Sequence, residues 1–176
     1  MLKVIIPARG GSKRIPRKNM KEFLGVPIIE RVISTLKHNK LVDEIIVSTE
    51  DSIISQHCRA LAVTVIDRTE KNASDTATTD DVISEVLERL PALKKYDLAL
   101  VYPTAVLLTS AIFTEMFEQY IQLNKQKIVF TATAYTHPPQ RGFTNTNGIE
   151  LLSPEHRFTR TQDLPKVFHD AGTAYI

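Results

Sequence analysis

The stretch KVIIPARGGSKRIPRKN, residues 3–19, decides the fold and draws attention to one loop. Its first four residues form a short β-branched run, which is typical of a strand covered on both faces. Two adjacent glycines follow, and basic side chains then accumulate with no acid among them. The six cations are Arg9 just before the glycines and Lys13, Arg14, Arg17, Lys18 and Lys21 after them, the last of them two residues past the quoted stretch. Because like charges this close repel one another, we expect the loop to bind an anion.

The composition limits the classes of protein to consider. The 176 residues are enough for one domain with a substantial core, and the hydrophobic fraction of 43% is ordinary for a globular protein. A net charge of +2 is too small for a general nucleic-acid binder. The single cysteine, Cys58, forms no internal disulfide. With neither a signal-peptide pattern nor an apolar run of membrane-spanning length, we expect a cytoplasmic protein without nucleic-acid or membrane partners.

Strand-like segments alternate with amphipathic helical segments. The strand-like segments are 3–6, 44–47, 63–66, 98–102, 128–134 and 172–176, and the helical ones are 28–36, 82–90 and 113–121. This alternation predicts a three-layer α/β domain with a mostly parallel sheet. In such sheets ligands bind beyond the carboxyl ends of the strands, where the basic loop follows the first strand.

Several polar residues are expected to cap helices. Asp51 follows a strand and suits a helix N-cap. Either Thr109 or Ser110 suits the N-cap of the helix at 113–121. Residues 78–81, Thr-Thr-Asp-Asp, supply an N-cap and first-turn acids for the helix at 82–90.

The region 136–170 differs in character from the rest. Residues 142–153 alternate around Asn147-Gly148, which predicts a β-hairpin. Such a hairpin can be an arm for dimerisation or for covering a site, or a flank that extends the sheet, and the sequence leaves both open.

The basic loop matches neither common phosphate-binding glycine motif. Gly10 and Gly11 could adopt positive φ and direct successive backbone N–H groups at an anion, with Ser12, Lys13 and Arg9 adding donors and charge. This combination favours a polyphosphate. A solvated loop or an RNA patch remains possible, although Phe23 is the only aromatic residue nearby for base stacking.

Several motifs together resemble the cytidylyltransferases that activate nonulosonic acids, the CMP-sialic acid synthetase family. They are PARGGSK at 7–13, PRKN at 16–19, SDTATTDDV at 74–82, YPTA at 102–105, HPPQR at 137–141 and RTQDLPKVFHDAG at 160–172. The resemblance implies a nucleotide-diphospho-sugar-transferase-like (Rossmann-like) fold, with residues 1–176 as one nucleotidyltransferase domain that includes the 136–170 arm. YPTA, PQR and QDLPKVFHDAG are similar to the branch of the family that acts on pseudaminic acid.

The implied reaction joins CTP and a nine-carbon α-keto acid sugar, pseudaminic acid, into CMP-pseudaminic acid and diphosphate. The family also implies Mg²⁺ as the cofactor and a homodimer. CMP-N-acetylneuraminic acid or CMP-legionaminic acid synthesis remains an alternative, as does a CTP-binding remnant without turnover. An RNA-binding or scaffold role for the basic loop also stays open.

The resemblance assigns roles to individual residues. Arg9, Lys13 and Lys18 are implied to hold the triphosphate and to act in catalysis. The implied CTP-binding residues are Ala8, Gly11, Ser12, Asn19, Arg68 and Thr79, and the implied sugar-binding residues are Tyr102, Arg141, Arg160, His169 and Asp170. Other interpretations are a surface arginine for Arg68, a helix N-cap for Thr79, and a buried structural pair for His169 and Asp170.

The expected metal ligands of the family are not found in this sequence. They form an Asp-x-Asp pair in a further C-terminal segment, so no metal ligand is assigned within residues 1–176, and we expect the chain to lack that segment. We also expect its last strand, ending at Ile176, to carry unpaired backbone groups.

Overall fold

The computed structural model describes residues 2–176. The strands are β1 (Leu2–Pro7), β2 (Glu22–Phe23), β3 (Val26–Pro27), β4 (Val42–Thr49), β5 (Thr64–Asp67), β6 (Asp97–Val101), β7 (Phe130–Ala134), β8 (Phe143–Thr144), β9 (Glu150–Leu151) and β10 (Phe168–Tyr175). The α-helices are α1 (Ile28–Lys37), α2 (Ser52–Ala60), α3 (Glu70–Ala73), α4 (Thr79–Arg89) and α5 (Ser110–Gln122). The 3₁₀ helices are Lys18–Met20, Pro91–Lys95, Pro139–Arg141, Pro154–His156 and Thr161–Asp163.

The main sheet has six strands in the order β5-β4-β1-β6-β10-β7. β1 pairs in parallel with β4 on one side and β6 on the other, and β4 pairs in parallel with β5. β10 is antiparallel to β6. The predicted α/β fold with a mostly parallel sheet is therefore confirmed.

Alternate residues of β1 face two different helical layers. Val4 and Ile6 belong to a core that also includes buried side chains of α1, α2 and α5. Ile5 belongs to a second core that includes Val86 of α4. With both faces of β1 covered, all three of these β1 side chains are buried, which explains the continuous apolar run.

The helix starts follow the cap chemistry expected from the sequence. The Asp51 carboxylate accepts hydrogen bonds from the N–H groups of Ile53 and Ile54, and Thr109, rather than Ser110, caps α5. Asp51 is the N-cap of α2, a nine-residue helix that the apolar pattern alone did not predict.

The described chain divides into two compact units, one of residues 2–130 and 172–176 and one of residues 131–171. The second unit contains the β8–β9 pair, in which Phe143 lies opposite Leu151. Gly148 lies in the turn between them with φ of 111°, so the predicted hairpin is confirmed. The predicted 136–170 arm falls inside this unit.

The end of the chain is paired, contrary to expectation. The Ile176 N–H donates to the Val129 carbonyl at 2.8 Å, and the Ile176 carbonyl accepts from the Val129 N–H at 2.9 Å. The Ile176 side chain is buried in the core with β1 and α5 residues. Separately, none of the helices within residues 2–176 is both long enough and apolar enough to span a bilayer.

Candidate active site

A cleft of about 310 Å³ lies where β1 and β6 end, bounded by the basic loop, the loop after β5 and the start of α4. Its lining residues are Pro7, Arg9, Ser12, Lys13, Arg14, Lys18, Asn19, Arg68, Asn72, Ser74, Asp75, Ala77, Thr78, Thr79, Val82, Tyr102, Pro103 and Thr104. The cleft therefore occupies the position expected for ligand binding in a parallel sheet.

The structure brings eight of the predicted site residues into this cleft. They are Arg9, Ser12, Lys13, Lys18, Asn19, Arg68, Thr79 and Tyr102. Ala8 is buried in the core at the end of β1, and Gly11 lies exposed on the loop. The roles assigned to these residues remain predictions.

The glycine pair does not adopt the conformation that the sequence suggested. Neither Gly10 nor Gly11 has positive φ; in this loop Arg17 does, at 50°. The Gly10 N–H donates to the Glu50 carboxylate at 2.7 Å, and the Ser12 N–H donates to the Gly10 carbonyl at 2.9 Å. The suggested positive φ is therefore wrong at both glycines. The N–H groups of Gly10 and Ser12 have partners within the protein here, and their role in binding an anion stays a prediction.

Gly10 is required for another reason, the close approach of the loop to α2. A Cβ atom at Gly10 would lie 2.3 Å from Oδ2 of Asp51 and 2.8 Å from its Cβ. Asp51 cannot easily move aside, because its other oxygen caps α2. At Gly11, by contrast, an added Cβ would meet nothing within 4 Å.

Asp75 forms the main ion-pair contact in the cleft. Its Oδ1 accepts a hydrogen bond from the Arg9 guanidinium at 2.9 Å, and its Oδ2 forms an ion pair with the Lys13 ammonium. Lys13 and then Arg9 lower the pKa of the Asp75 carboxyl. The sequence analysis gave Asp75 no role, because the partners lie more than 60 residues away along the chain and only the fold reveals the contact.

Arg68 is buried at the end of β5, so its interpretation as a surface arginine is wrong. Only 8% of the residue is exposed. Its guanidinium donates to the Ser48 carbonyl at 2.7 Å and to the Ser48 hydroxyl at 3.1 Å. Burial lowers the pKa of Arg68, while the charges of Glu50 and Glu85 oppose that shift. A buried cation held in one orientation at the cleft wall suits ligand binding.

Asn19 brings an unused hydrogen-bond acceptor to the cleft. Its amide nitrogen donates to the Arg9 carbonyl at 2.8 Å, which fixes the orientation of the side chain. Its Oδ1 is buried and has no hydrogen-bond partner in the structure. A buried acceptor without a partner costs free energy, so a ligand donor at this position is expected.

The interpretation of Thr79 as the N-cap of α4 is wrong. Thr78 is the cap: its hydroxyl accepts from the Asp81 N–H at 3.2 Å, and the Asp81 carboxylate accepts from the Thr78 N–H at 2.8 Å. This capping box leaves the Thr79 hydroxyl 3.0 Å from the Tyr102 hydroxyl. The two hydroxyl groups join the start of α4 to the end of β6 at the cleft wall.

Glu85 of α4 supports the loop after β5 from within. Only 6% of the residue is exposed, and its carboxylate accepts from the Thr69 N–H at 2.9 Å and the Asn72 amide at 2.7 Å. Arg89 forms an ion pair with it at 2.9 Å. Burial favours the neutral acid, but the hydrogen bonds from Asn72 and Thr69, with the Arg89 charge, outweigh it and lower the pKa of Glu85.

The remaining predicted sugar-binding residues belong to the second unit. The Arg141 guanidinium donates to the carbonyls of His156, Arg157 and Thr159, whereas Arg160 is exposed. His169 is also exposed, with Nδ1 2.9 Å from the Asp170 carbonyl and its ring 4.7 Å from the Tyr135 ring centroid. The interpretation of His169 and Asp170 as a buried structural pair is therefore wrong.

Comparison with known proteins decides the family. The family model described as cytidylyltransferase matches residues 3–174. This chain belongs to the cytidylyltransferase family. The resemblance predicted from the sequence and the nucleotidyltransferase activity that it implies are thereby confirmed.

Two curated relatives of this cytidylyltransferase cover almost all of it. It is 38% identical to the pseudaminic acid cytidylyltransferase of Campylobacter jejuni over 98% of this chain and 76% of that protein. It is 31% identical, again over 98% of its length, to a Helicobacter pylori protein described as pseudaminic acid cytidylyltransferase and UDP-2,4-diacetamido-2,4,6-trideoxy-beta-L-altropyranose hydrolase. The match spans 34% of that longer protein.

Solved structures share the fold of this cytidylyltransferase at low sequence identity. A CMP:2-keto-3-deoxy-manno-octonic acid synthetase complexed with CTP aligns with a TM-score of 0.72 at 17% identity, over 99% of this chain and 73% of that one. A 4-diphosphocytidyl-2C-methyl-D-erythritol synthase from Anaerococcus prevotii aligns with a TM-score of 0.63 at 17% identity, over 99% and 69% of the two chains. At these identities the likeness supports the fold alone.

Proposed function

We propose that this cytidylyltransferase converts CTP and pseudaminic acid into CMP-pseudaminic acid and diphosphate. The observation that carries the proposal is the 38% identity to a pseudaminic acid cytidylyltransferase over 98% of the chain. The cleft supports it, because five basic side chains converge there: Arg9, Lys13, Arg14, Lys18 and Arg68. A nucleoside triphosphate is a substrate with the opposite charge.

The cations act on the triphosphate by position and charge. Displacement at the α-phosphorus needs little covalent help from the protein, so orientation and neutralisation of developing charge supply most of the rate. Arg9, Lys13 and Lys18 would hold the triphosphate in line with the attacking sugar hydroxyl. They would also offset the negative charge that builds on the departing diphosphate.

The cytidine would be recognised deeper in the cleft. The unpartnered Oδ1 of Asn19 can accept a hydrogen bond from the ribose or from the cytosine amino group. Arg68 and the Thr79–Tyr102 hydroxyl pair offer further polar contacts at the wall. An acceptor facing the amino group would favour CTP over UTP, whose base carries a carbonyl oxygen at that position.

The sugar carboxylate calls for an arginine, because a guanidinium binds a carboxylate through two parallel hydrogen bonds. Of the two candidates, Arg141 and Arg160, we propose Arg160. The Arg141 guanidinium already donates to three backbone carbonyls, and releasing them would disturb the second unit. Arg160 is exposed and directly precedes the 3₁₀ helix Thr161–Asp163, with no side-chain cap hydrogen bond to it.

Magnesium belongs to the proposal as a companion of the triphosphate. Within residues 2–176 there is no cluster of three or more His, Cys, Asp or Glu side chains suited to a metal, and Asp75 is the one acidic residue of that part of the chain in the cleft. These residues alone do not form a protein magnesium site. Mg²⁺ retains several waters and accepts phosphate oxygens, so we infer that it enters bound to CTP.

A homodimer also belongs to the proposal. The second unit exposes large apolar side chains to solvent, among them Phe143 at 57%, Ile149 at 72% and Phe158 at 85%. Large exposed apolar surfaces mark sites that bind another protein, and these side chains would supply apolar area to such a site. A second copy of the chain is the partner we propose.

Diphosphate release with CTP, Mg²⁺ and a nonulosonic acid tests the function directly. We expect turnover with pseudaminic acid to exceed turnover with N-acetylneuraminic or legionaminic acid. A preference for either of the other two acids would contradict the substrate assignment.

Thermal shift gives an independent test of the nucleotide: CTP should raise Tm more than ATP, GTP or UTP. Equal shifts would indicate generic polyanion binding, and a CTP shift without turnover would identify a binding remnant.

A further inference from the structure

Asp75 pairs with two of the five basic side chains that line the cleft. Its two carboxylate oxygens contact two different cations, Oδ1 the Arg9 guanidinium at 2.9 Å and Oδ2 the Lys13 ammonium. Two oxygens of a phosphate group could make the same pair of contacts. Asp75 therefore occupies donors that the proposed function requires for the triphosphate.

The position of Asp75 allows it to leave. It lies on the segment between α3 and α4, and 45% of its side chain is exposed. Exposed ion pairs contribute little to stability, because water screens them and ordering the side chains costs entropy. A di- or triphosphate carries more charge than one carboxylate and can replace it on Arg9 and Lys13.

We propose that Asp75 competes with the phosphates of the nucleotide and of diphosphate for Arg9 and Lys13, and so sets their affinity. The proposal rests on the proposed function, because it takes the cleft to bind CTP. Before binding, Asp75 holds the two cations in position and limits their mutual repulsion. After the reaction, it returns to them and promotes the departure of diphosphate.

Glu50, beside the cleft, is a second carboxylate that occupies a donor which a bound anion could use. It accepts the Gly10 N–H at 2.7 Å, in the loop that the sequence predicts to bind phosphate. Acidic side chains thus contact the basic loop from two sides, Glu50 from the end of β4 and Asp75 from the loop before α4. Of the two, Asp75 lines the cleft and contacts the cations themselves.

Titration calorimetry with inorganic diphosphate in EDTA isolates this competition, because the probe needs neither cytidine, sugar nor metal. Asp75→Asn keeps the size of the side chain and removes its charge. We expect it to bind diphosphate about threefold to tenfold more tightly than the wild type, the range of one or two weak ion pairs. The matched control is Glu70→Gln in α3, which removes a nearby exposed charge that does not line the cleft. It should change the affinity less than twofold.

The outcomes separate this inference from the function on which it rests. If the wild type binds diphosphate and D75N binds it equally or more weakly, the competition does not exist. If the control tightens binding as much as D75N, the effect is one of net charge, and the inference again fails. If the wild type binds neither diphosphate nor CTP, the proposed function fails with it. A second variant, Asp75→Ser, should tighten binding in the same direction, and a Tm measurement of each variant confirms folding.

Steady-state kinetics add a readout of product release. With CTP and sugar, D75N should show a lower KM for CTP and stronger inhibition by added diphosphate, again by about threefold to tenfold. Loss of Mg²⁺-dependent CTP binding in D75N, without tighter diphosphate binding in EDTA, would instead make Asp75 a metal ligand and overturn the proposal.

Discussion

Lys18 and Lys21 belong to the same basic segment but differ in position. Lys18 is half-buried and lines the cleft, whereas Lys21 is exposed and outside it. Lys18→Ala should lower kcat by about 10²–10³, the scale of one lost contact to charge developing in the transition state. Lys21→Ala should be nearly silent in the same diphosphate-release assay. Equal losses in both variants would mean that the loop acts only as diffuse charge.

The two adjacent glycines have different neighbours, so alanine should affect them differently. Gly10→Ala places a methyl group against the Asp51 side chain and should destabilise the protein by about 1–3 kcal/mol, as overpacking does. Gly11→Ala meets open space and should leave the free energy of unfolding nearly unchanged. Urea denaturation of the two variants measures the difference. A tolerated alanine at Gly10 would show that α2 can shift to make room.

At the residue scale, sequence motifs identified the lining of the cleft but not its electrostatics. The motifs at 7–13 and 74–82 carry most of the lining residues, because each directly follows or precedes a regular element. The pairing of Asp75 with Arg9 could not be predicted, since it depends on where two distant loops meet. The burial of Arg68 was missed for the same reason, because Ser48 on the neighbouring strand supplies its partners.

At the scale of elements, α4 is coupled to the loop after β5 through one buried carboxylate. Glu85→Gln removes the charge that accepts hydrogen bonds from Thr69 and Asn72, and should cost about 1–3 kcal/mol at pH 7. Glu88→Gln on the exposed side of α4 is the matched control and should cost little. A similar loss in both variants would show that helix charge, rather than this network, is responsible.

The Glu85 prediction also has a pH dependence with a definite sign. The pKa of Glu85 is lower in the folded chain than in the unfolded chain. The ionised carboxylate therefore stabilises the fold at any pH above the pKa of the unfolded chain. That contribution is lost as the pH falls below roughly 4.3, the value for an unperturbed glutamate, toward the folded pKa. The stability difference between wild type and E85Q should therefore be constant near neutrality and shrink in acid. A difference that grows in acid would contradict the network described here.

Among the helices, the long periodic ones were predictable and the short ones were not. The runs at 28–36, 82–90 and 113–121 became α1, α4 and α5, because each helix buries one apolar stripe. The helix α2 buries only Ile54 and Cys58, which are too few positions to show a helical period. The N-cap residue Asp51 was the one signal of this helix in the sequence. The four-residue α3 buries none.

At the scale of the whole molecule, the hairpin of the second unit provides a test of assembly. Deleting residues 142–153 removes β8, β9 and the exposed Phe143 and Ile149. We expect the wild type to sediment as a homodimer and the deletion variant to shift toward monomer. A deletion variant that remains fully dimeric would place the interface elsewhere. Phe143→Ser, which keeps the hairpin, should weaken the dimer in the same direction.

The order of strands in the sheet has a consequence for synthesis on the ribosome. β1 pairs with β4 on one edge and with β6 on the other, and β6 begins at Asp97, far later in the chain than β4. A nascent chain that ends before that residue would present the open edge of an apolar strand, which readily pairs with other chains. Distant pairing also slows refolding, because a long loop must close before the contacts form. We therefore expect refolding from denaturant to be slow. At high protein concentration, we expect chains in which β6 has not yet paired with β1 to aggregate.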